Sequence, residues 1–184
     1  DVLFGAVNPS GRLPMTFPAA IDQYPRAQLP GLGLPEKTRF DVVYSEGAEV
    51  GYRRFAKTGE KPLFPFGYGL SYTTFGFANL TVTGGPTLTV SFDVSNTGQR
   101  AGKATPQVYL TDAAGQPVQR LIGFDKVDLK PGETRRVALT ADARLLGRFD
   151  AKANRWVLDG GRYQVGVGGA SNDLALRGAA NLKA

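Results

Sequence analysis

Leu88-Thr89-Val90-Ser91-Phe92-Asp93-Val94 is the stretch whose reading decides the fold. Leu88, Val90, Phe92 and Val94 recur at period two, so an extended chain places all four on one face and Thr89, Ser91 and Asp93 on the other. One apolar and one polar face describe a strand of an antiparallel sheet that packs on one side and meets water on the other. Asn96-Thr97-Gly98 then turns the chain, since Asn bonds its own backbone locally and Gly accepts positive φ. The same texture predicts further strands near 77–83, 105–111, 119–127, 133–140, 155–158, 161–168 and 173–177. Ala113-Ala114-Gly115, Pro131-Gly132 and Asp159-Gly160-Gly161 mark turns between them.

Seven or eight short strands at this spacing predict an immunoglobulin or fibronectin type III-like antiparallel sandwich over residues 76–184. The residues before it read differently. Asp1-Val2-Leu3-Phe4-Gly5 has the form of a last helical turn closing on glycine. Asn8-Pro9-Ser10-Gly11 is a turn, and Leu13-Pro14-Met15-Thr16-Phe17 is extended. A helix end, a turn and one strand make no core, so residues 1–18 are expected to be the tail of an α/β domain whose remainder lies upstream or on another chain. Residues 19–75 hold Pro25, Pro30, Pro35, Pro62 and Pro65 and sustain neither period, which predicts a long connecting loop. Its aromatics, among them Phe40, Tyr44, Tyr52, Phe55, Phe64, Phe66 and Tyr68, argue for an ordered segment draped over a larger partner surface.

Composition narrows the chemistry. The 184 residues contain no Cys and no His, which excludes a thiol nucleophile, a disulfide, a Ser/His/Asp triad and a zinc site of the usual kind. The net charge of +6 comes from basic residues spread singly or in pairs such as Arg53-Arg54 and Arg135-Arg136, so a nucleic-acid partner is not indicated. Apolar runs fall far short of the ~20 residues of a membrane span. The Asp residues form no calcium-loop pattern, and Gly166-Val167-Gly168-Gly169 opens no helix that could cradle phosphate, so neither metal nor cofactor is expected. Trp156, the sole tryptophan, is read as a core residue on its strand.

Three motifs in order carry a resemblance. The segment from Asp1 to Pro18, then Tyr44-Ser45-Glu46-Gly47-Ala48-Glu49-Val50-Gly51-Tyr52-Arg53, then Pro65-Phe66-Gly67-Tyr68-Gly69-Leu70-Ser71-Tyr72-Thr73-Thr74-Phe75 resemble the carboxyl-terminal part of glycoside hydrolase family 3 enzymes of the β-glucosidase type. The rest, from Val94-Ser95-Asn96-Thr97-Gly98 to Val165-Gly166-Val167-Gly168, is similar to that family's fibronectin type III-like domain. The resemblance implies a retaining, exo-acting β-glycosidase, in which a nucleophilic carboxylate and an acid/base carboxylate stand ~5–5.5 Å apart.

It also implies that neither catalytic group is in this chain. The nucleophile Asp belongs to an upstream barrel domain, and the acid/base Glu to an earlier part of the α/β sandwich domain in a Ser-Gly-Glu type segment absent here. Expected partners are therefore those two upstream domains and a β-linked oligosaccharide or glycoside, in a periplasmic or secreted setting. Tyr44, Glu46, Tyr52, Arg53 and Tyr68 are the candidate residues of a loop bordering the active-site cleft. Glu46 and Arg53 are read first as structural, through pairing or bonds to loop amides. Tyr44, Tyr52 and Tyr68 are read first as anchors to a neighbouring domain and second as sugar-stacking rings. Two other readings stay open: a stand-alone carbohydrate-binding module, and a purely structural module.

Overall fold

The computed structural model describes residues 1–26 and 28–183. Strand β1 (Phe75–Thr83), β2 (Thr89–Asn96) and β7 (Thr134–Thr140) form one antiparallel sheet in the order β1-β2-β7. The facing sheet has the order β11-β10-β4-β5, from β4 (Gln107–Ala113), β5 (Gln116–Phe124), β10 (Gly161–Gly168) and β11 (Leu176–Leu182). Two small pairs complete the sandwich: β3 (Gly102–Ala104) with β6 (Val127–Leu129), and β8 (Arg148–Asp150) with β9 (Arg155–Val157).

The period-two face of β2 is the centre of the core. Val90, Phe92 and Val94 lie fully buried against Val108 and Leu110 of β4 and Val165 and Val167 of β10. Phe77 meets Phe92 edge-on at 6.4 Å. At such a site, truncating Phe92 to alanine costs about 3–5 kcal/mol, since lost transfer energy and a cavity add.

Two buried polar side chains join the sandwich to the preceding segment. Asn96 donates from Nδ2 to the carbonyls of Arg100 at 2.7 Å and Leu129 at 3.1 Å, and its Oδ1 accepts from the Thr73 hydroxyl and Gly98 N–H. Gln107 donates to the carbonyls of Gly67 and Gly169 and accepts from the Tyr109 hydroxyl at 2.6 Å. Gly67 permits this approach: at φ +82 it occupies the left-handed region, and a Cβ there would fall on the Gln107 amide.

Residues 1–74 are tied down by further polar contacts. Ala6 N–H bonds the Asp1 carbonyl and Gly5 N–H the Val2 carbonyl, the pair of bonds with which a helical turn closes on a left-handed glycine. Asn8 accepts from the Ser71 hydroxyl and Tyr72 N–H and donates to the Ala101 carbonyl. Leu13 and Phe17 pair through backbone bonds with Gly67, Tyr68 and Phe64. Among the described residues no helix is long and apolar enough to cross a membrane.

The structure corrects several expectations. Residues 19–75 are not devoid of regular structure: a 3-10 turn spans Ile21–Gln23, and helix α1 spans Tyr52–Thr58, ending on left-handed Gly59. Its Tyr52, Phe55 and Ala56 share one face at helical spacing, a signal too short to stand out in a Pro-rich context. Segment 13–17 forms a single bridge, Phe17 with Phe64, and its partner is the chain's own 64–68. Strand β11 begins later than the 173–177 run, the 119–127 run divides into β5 and β6, and helix α2 (Ala143–Leu146) was not foreseen. Trp156 is not in the core. It is 51% exposed, because the β8–β9 hairpin pairs only with itself and turns its aromatic face outward.

Candidate functional site

The five loop residues singled out in the sequence fall into separate environments. Glu46 sits in a tight turn where Gly47 N–H bonds the Tyr44 carbonyl and Glu49 N–H bonds that of Glu46. Its Oε1 accepts from Arg26 Nη2 at 2.6 Å, and the same guanidinium donates to the Val43 carbonyl and lies 4.9 Å from the Tyr44 ring centroid. Arg26 thus gathers Tyr44 and Glu46 into one cluster. Sequence reasoning missed Arg26, because a single arginine after Pro25 carries no pattern.

The Glu46 carboxyl is held below its usual pKa, chiefly by a bond from its own main-chain N–H; partial burial opposes this, and Arg26 and Arg54 reinforce it. That direction suits a permanent anion. A proton donor in glycoside cleavage needs the opposite, a carboxyl raised toward neutrality. The second oxygen, Oε2, is buried and finds no hydrogen-bond partner among the described residues.

Tyr52 and Tyr68 point inward. The Tyr52 hydroxyl accepts from Leu121 N–H at 3.1 Å, and its ring packs 4.9 Å from Phe66 and 5.8 Å from Tyr109, so it pins α1 to β4 and β5. Burial drives the Tyr109 phenol well above its ordinary pKa, with a smaller push from Tyr52. Tyr68 stacks on Phe64 at 5.4 Å while its carbonyl accepts from Leu13 N–H. Tyr44, by contrast, is 73% exposed.

Arg53 does not join Glu46. It lines a cleft of about 540 Å³ between α1 and β5, together with Glu49, Lys57, Gln119 and Arg120. Arg120 is held below its usual pKa by burial and then by Arg53, and its Nη1 donates to the carbonyls of Leu145 and Gly147. No group of three or more Asp or Glu side chains able to hold a metal ion gathers among the described residues.

The largest feature of this half of the chain is its outer surface. Among the described residues, twenty of the twenty-four exposed large apolar side chains lie within the first 72, Phe4 at 94% and Leu32 at 75% among them. The described residues after position 72 hold four, consistent with a sandwich that satisfies its own core. Exposed apolar area of this density marks a surface shaped for contact.

Comparison with known proteins divides the chain at the same place. The glycosyl hydrolase family 3 C-terminal domain matches residues 1–72, and the fibronectin type III-like domain matches residues 104–171. β-Glucosidase B of Emericella nidulans is 43% identical over 95% of this chain, and thermostable β-glucosidase B of Acetivibrio thermocellus is 39% identical over 96%. The solved structure of β-glucosidase 3B from Thermotoga neapolitana, in complex with α-D-glucose, superposes with a TM-score of 0.87 at 42% identity over 98% of this chain. The chain spans 22%, 24% and 26% of these three proteins, respectively.

Proposed function

Because the chain belongs to glycoside hydrolase family 3, whose C-terminal domain and fibronectin type III-like domain it carries, we propose that it serves as the carboxyl-terminal part of a retaining β-glucosidase-like hydrolase. In this reading the upstream barrel and α/β sandwich domains supply the nucleophile and the acid/base, and the enzyme removes sugars from β-linked glycosides. The present chain buttresses those domains. The observation that carries the reading is the concentration of exposed apolar side chains in residues 1–72, which need a cover the chain does not itself provide.

Within this arrangement Tyr44 and Glu46 stand on the rim that faces the upstream domains. Arg26 fixes both, and the unpartnered Glu46 Oε2 is an acceptor awaiting a donor from across that contact. Tyr52 and Gln107 hold the loop on the sandwich, and Tyr68 stacks on Phe64 within it, so that the rim is rigid before contact is made. An exported location, periplasmic or secreted, belongs to the same proposal and is open to cell fractionation.

The test is hydrolysis of p-nitrophenyl β-glucoside by this chain alone and after addition of the upstream polypeptide at matched concentration. Turnover only in the combined sample is expected. Turnover by the isolated chain would overturn the reading and return Glu46 to candidacy as a catalytic group.

A further inference from the structure

Trp156 and Phe149 occupy directly opposed positions in the β8–β9 hairpin. Their ring centroids are 5.6 Å apart at an interplanar angle of 65°, so the two rings meet as an open corner instead of a flat stack. Each is half exposed, 50% for Phe149 and 51% for Trp156, and neither belongs to the buried core. The hairpin is nonetheless held in place: Arg120 of β5 donates to the Leu145 and Gly147 carbonyls immediately before β8.

A cross-strand aromatic pair steadies a hairpin by about 0.2–1 kcal/mol, and that role asks only that the rings touch each other. Here mutual contact leaves half of each ring in water. The hairpin that carries them is otherwise polar at its ends: the exposed Arg148–Asp159 ion pair at 3.2 Å lies at its base, and exposed Lys152 and Asn154 lie in its turn. A pyranose ring has the matching pattern, with C–H groups on its faces and hydroxyls around its edge. An apolar protein surface laid over the whole hairpin would cover the rings but desolvate the charged and amide groups at its two ends.

We propose that the Phe149–Trp156 corner is a carbohydrate-binding subsite that stacks a glucosyl unit of a β-linked glucan chain. The linkage class rests on the glycosidase reading above; the stacking rests on the corner itself. An extended β-linked chain presents flat pyranose faces in succession, which lets one unit stack while its neighbours run past the polar side chains. The subsite would hold a glucan chain by stacking.

Trp156 is the only tryptophan in the chain, so intrinsic tryptophan fluorescence reports on this ring alone. Titration of the chain with cellohexaose should give a saturable change in emission, and maltohexaose, its α-linked counterpart, should not. Phe149→Ala keeps the reporter and should weaken cellohexaose binding roughly 3- to 10-fold with unchanged far-ultraviolet circular dichroism. Trp156→Ala should lose retardation in a native gel containing soluble β-glucan. The absence of a saturable change at millimolar cellohexaose, or an equal response to maltohexaose, would overturn the proposal. So would shielding of Trp156 from acrylamide by the upstream polypeptide without glucan, which would assign the corner to a domain contact. Hydrolysis of p-nitrophenyl β-glucoside is read separately: glucan binding without reconstituted hydrolysis removes the glycosidase reading and keeps the subsite, and hydrolysis without glucan binding does the reverse.

Discussion

Asn96 offers the most exact test of how the loop and the sandwich are joined. It is 1% exposed and serves four partners: the Arg100 and Leu129 carbonyls, the Thr73 hydroxyl and the Gly98 N–H. Asn96→Ala removes all four bonds. The contacts with Thr73 and Leu129 are buried, and each group left unpaired there costs about 1–3 kcal/mol; the other two, nearer solvent, recover part of their loss in water. The sum is about 3–5 kcal/mol, which for a chain of this size lowers Tm by roughly 6–20 °C.

Asn96→Asp separates hydrogen bonding from shape. The acceptor oxygen survives, but the amide that faced two carbonyls becomes a second oxygen, and burial with those carbonyls raises the carboxyl's folded pKa above its unfolded value of ~3.9. The penalty therefore grows as pH rises past the unfolded value and is relieved in acid, where the protonated group donates to one carbonyl. Urea unfolding followed by circular dichroism from acid to neutral pH reads both effects. An alanine variant within about 1 kcal/mol of the parent, or an aspartate variant whose deficit ignores pH, would refute the reasoning.

Three further outcomes follow from other sites. Gly67→Ala should cost about 2–4 kcal/mol, because φ +82 disfavours a side chain and the new Cβ falls on the buried Gln107 amide; an unchanged denaturation midpoint would oppose this. Glu46 has a depressed folded pKa, so the stability of its turn is fully present above the ordinary value of ~4.3 and is lost as pH falls through the lowered one. Hydrogen exchange of amides 43–49, corrected for intrinsic pH dependence, should show this loosening in the parent and not in Glu46→Gln. Asp142 caps α2 and is held at about 2 by its bonds to the Arg144 side chain and N–H, so its contribution persists above ~3.9 and fades as pH drops toward 2. Asp142→Asn should flatten that part of the acid-unfolding profile.

Period two was legible wherever a strand has one wet face. Leu88, Val90, Phe92 and Val94 were readable as a buried row before any coordinates, and the row is the centre of the core. Trp156 was read as core from its residue type and its place on a strand, and neither shows what covers it. Alternation says which residues share a face, not whether that face is covered, and the β8–β9 hairpin has no second sheet above it. The candidate site was less readable, since its geometry depends on pairs distant in sequence. Arg26 with Glu46 and Tyr52 with Leu121 close over 20 and 69 residues, in segments without period, where nothing local says which arginine or which amide will answer.

The division of labour in this chain follows from where its polar bonds go. A loop of more than 50 residues with almost no regular structure must satisfy its backbone elsewhere or remain wet. Here backbone bonds such as Phe17–Phe64 and Leu13–Tyr68 do part of that work, and a few side chains add ties: Asn8 bridges residues 71–72 and 101, Gln107 bridges 67 and 169, and the Tyr52 hydroxyl accepts from Leu121 N–H of β5. None of these bonds consumes the loop's outward apolar side chains. Polar contacts of this directional kind fix the loop's position, while the non-directional apolar surface is left for whatever covers it. A segment built only to close the sandwich would turn Leu29, Leu32 and Val43 inward; exposing them is costly unless another surface covers them, which is the physical ground for the proposal that the upstream domains do so.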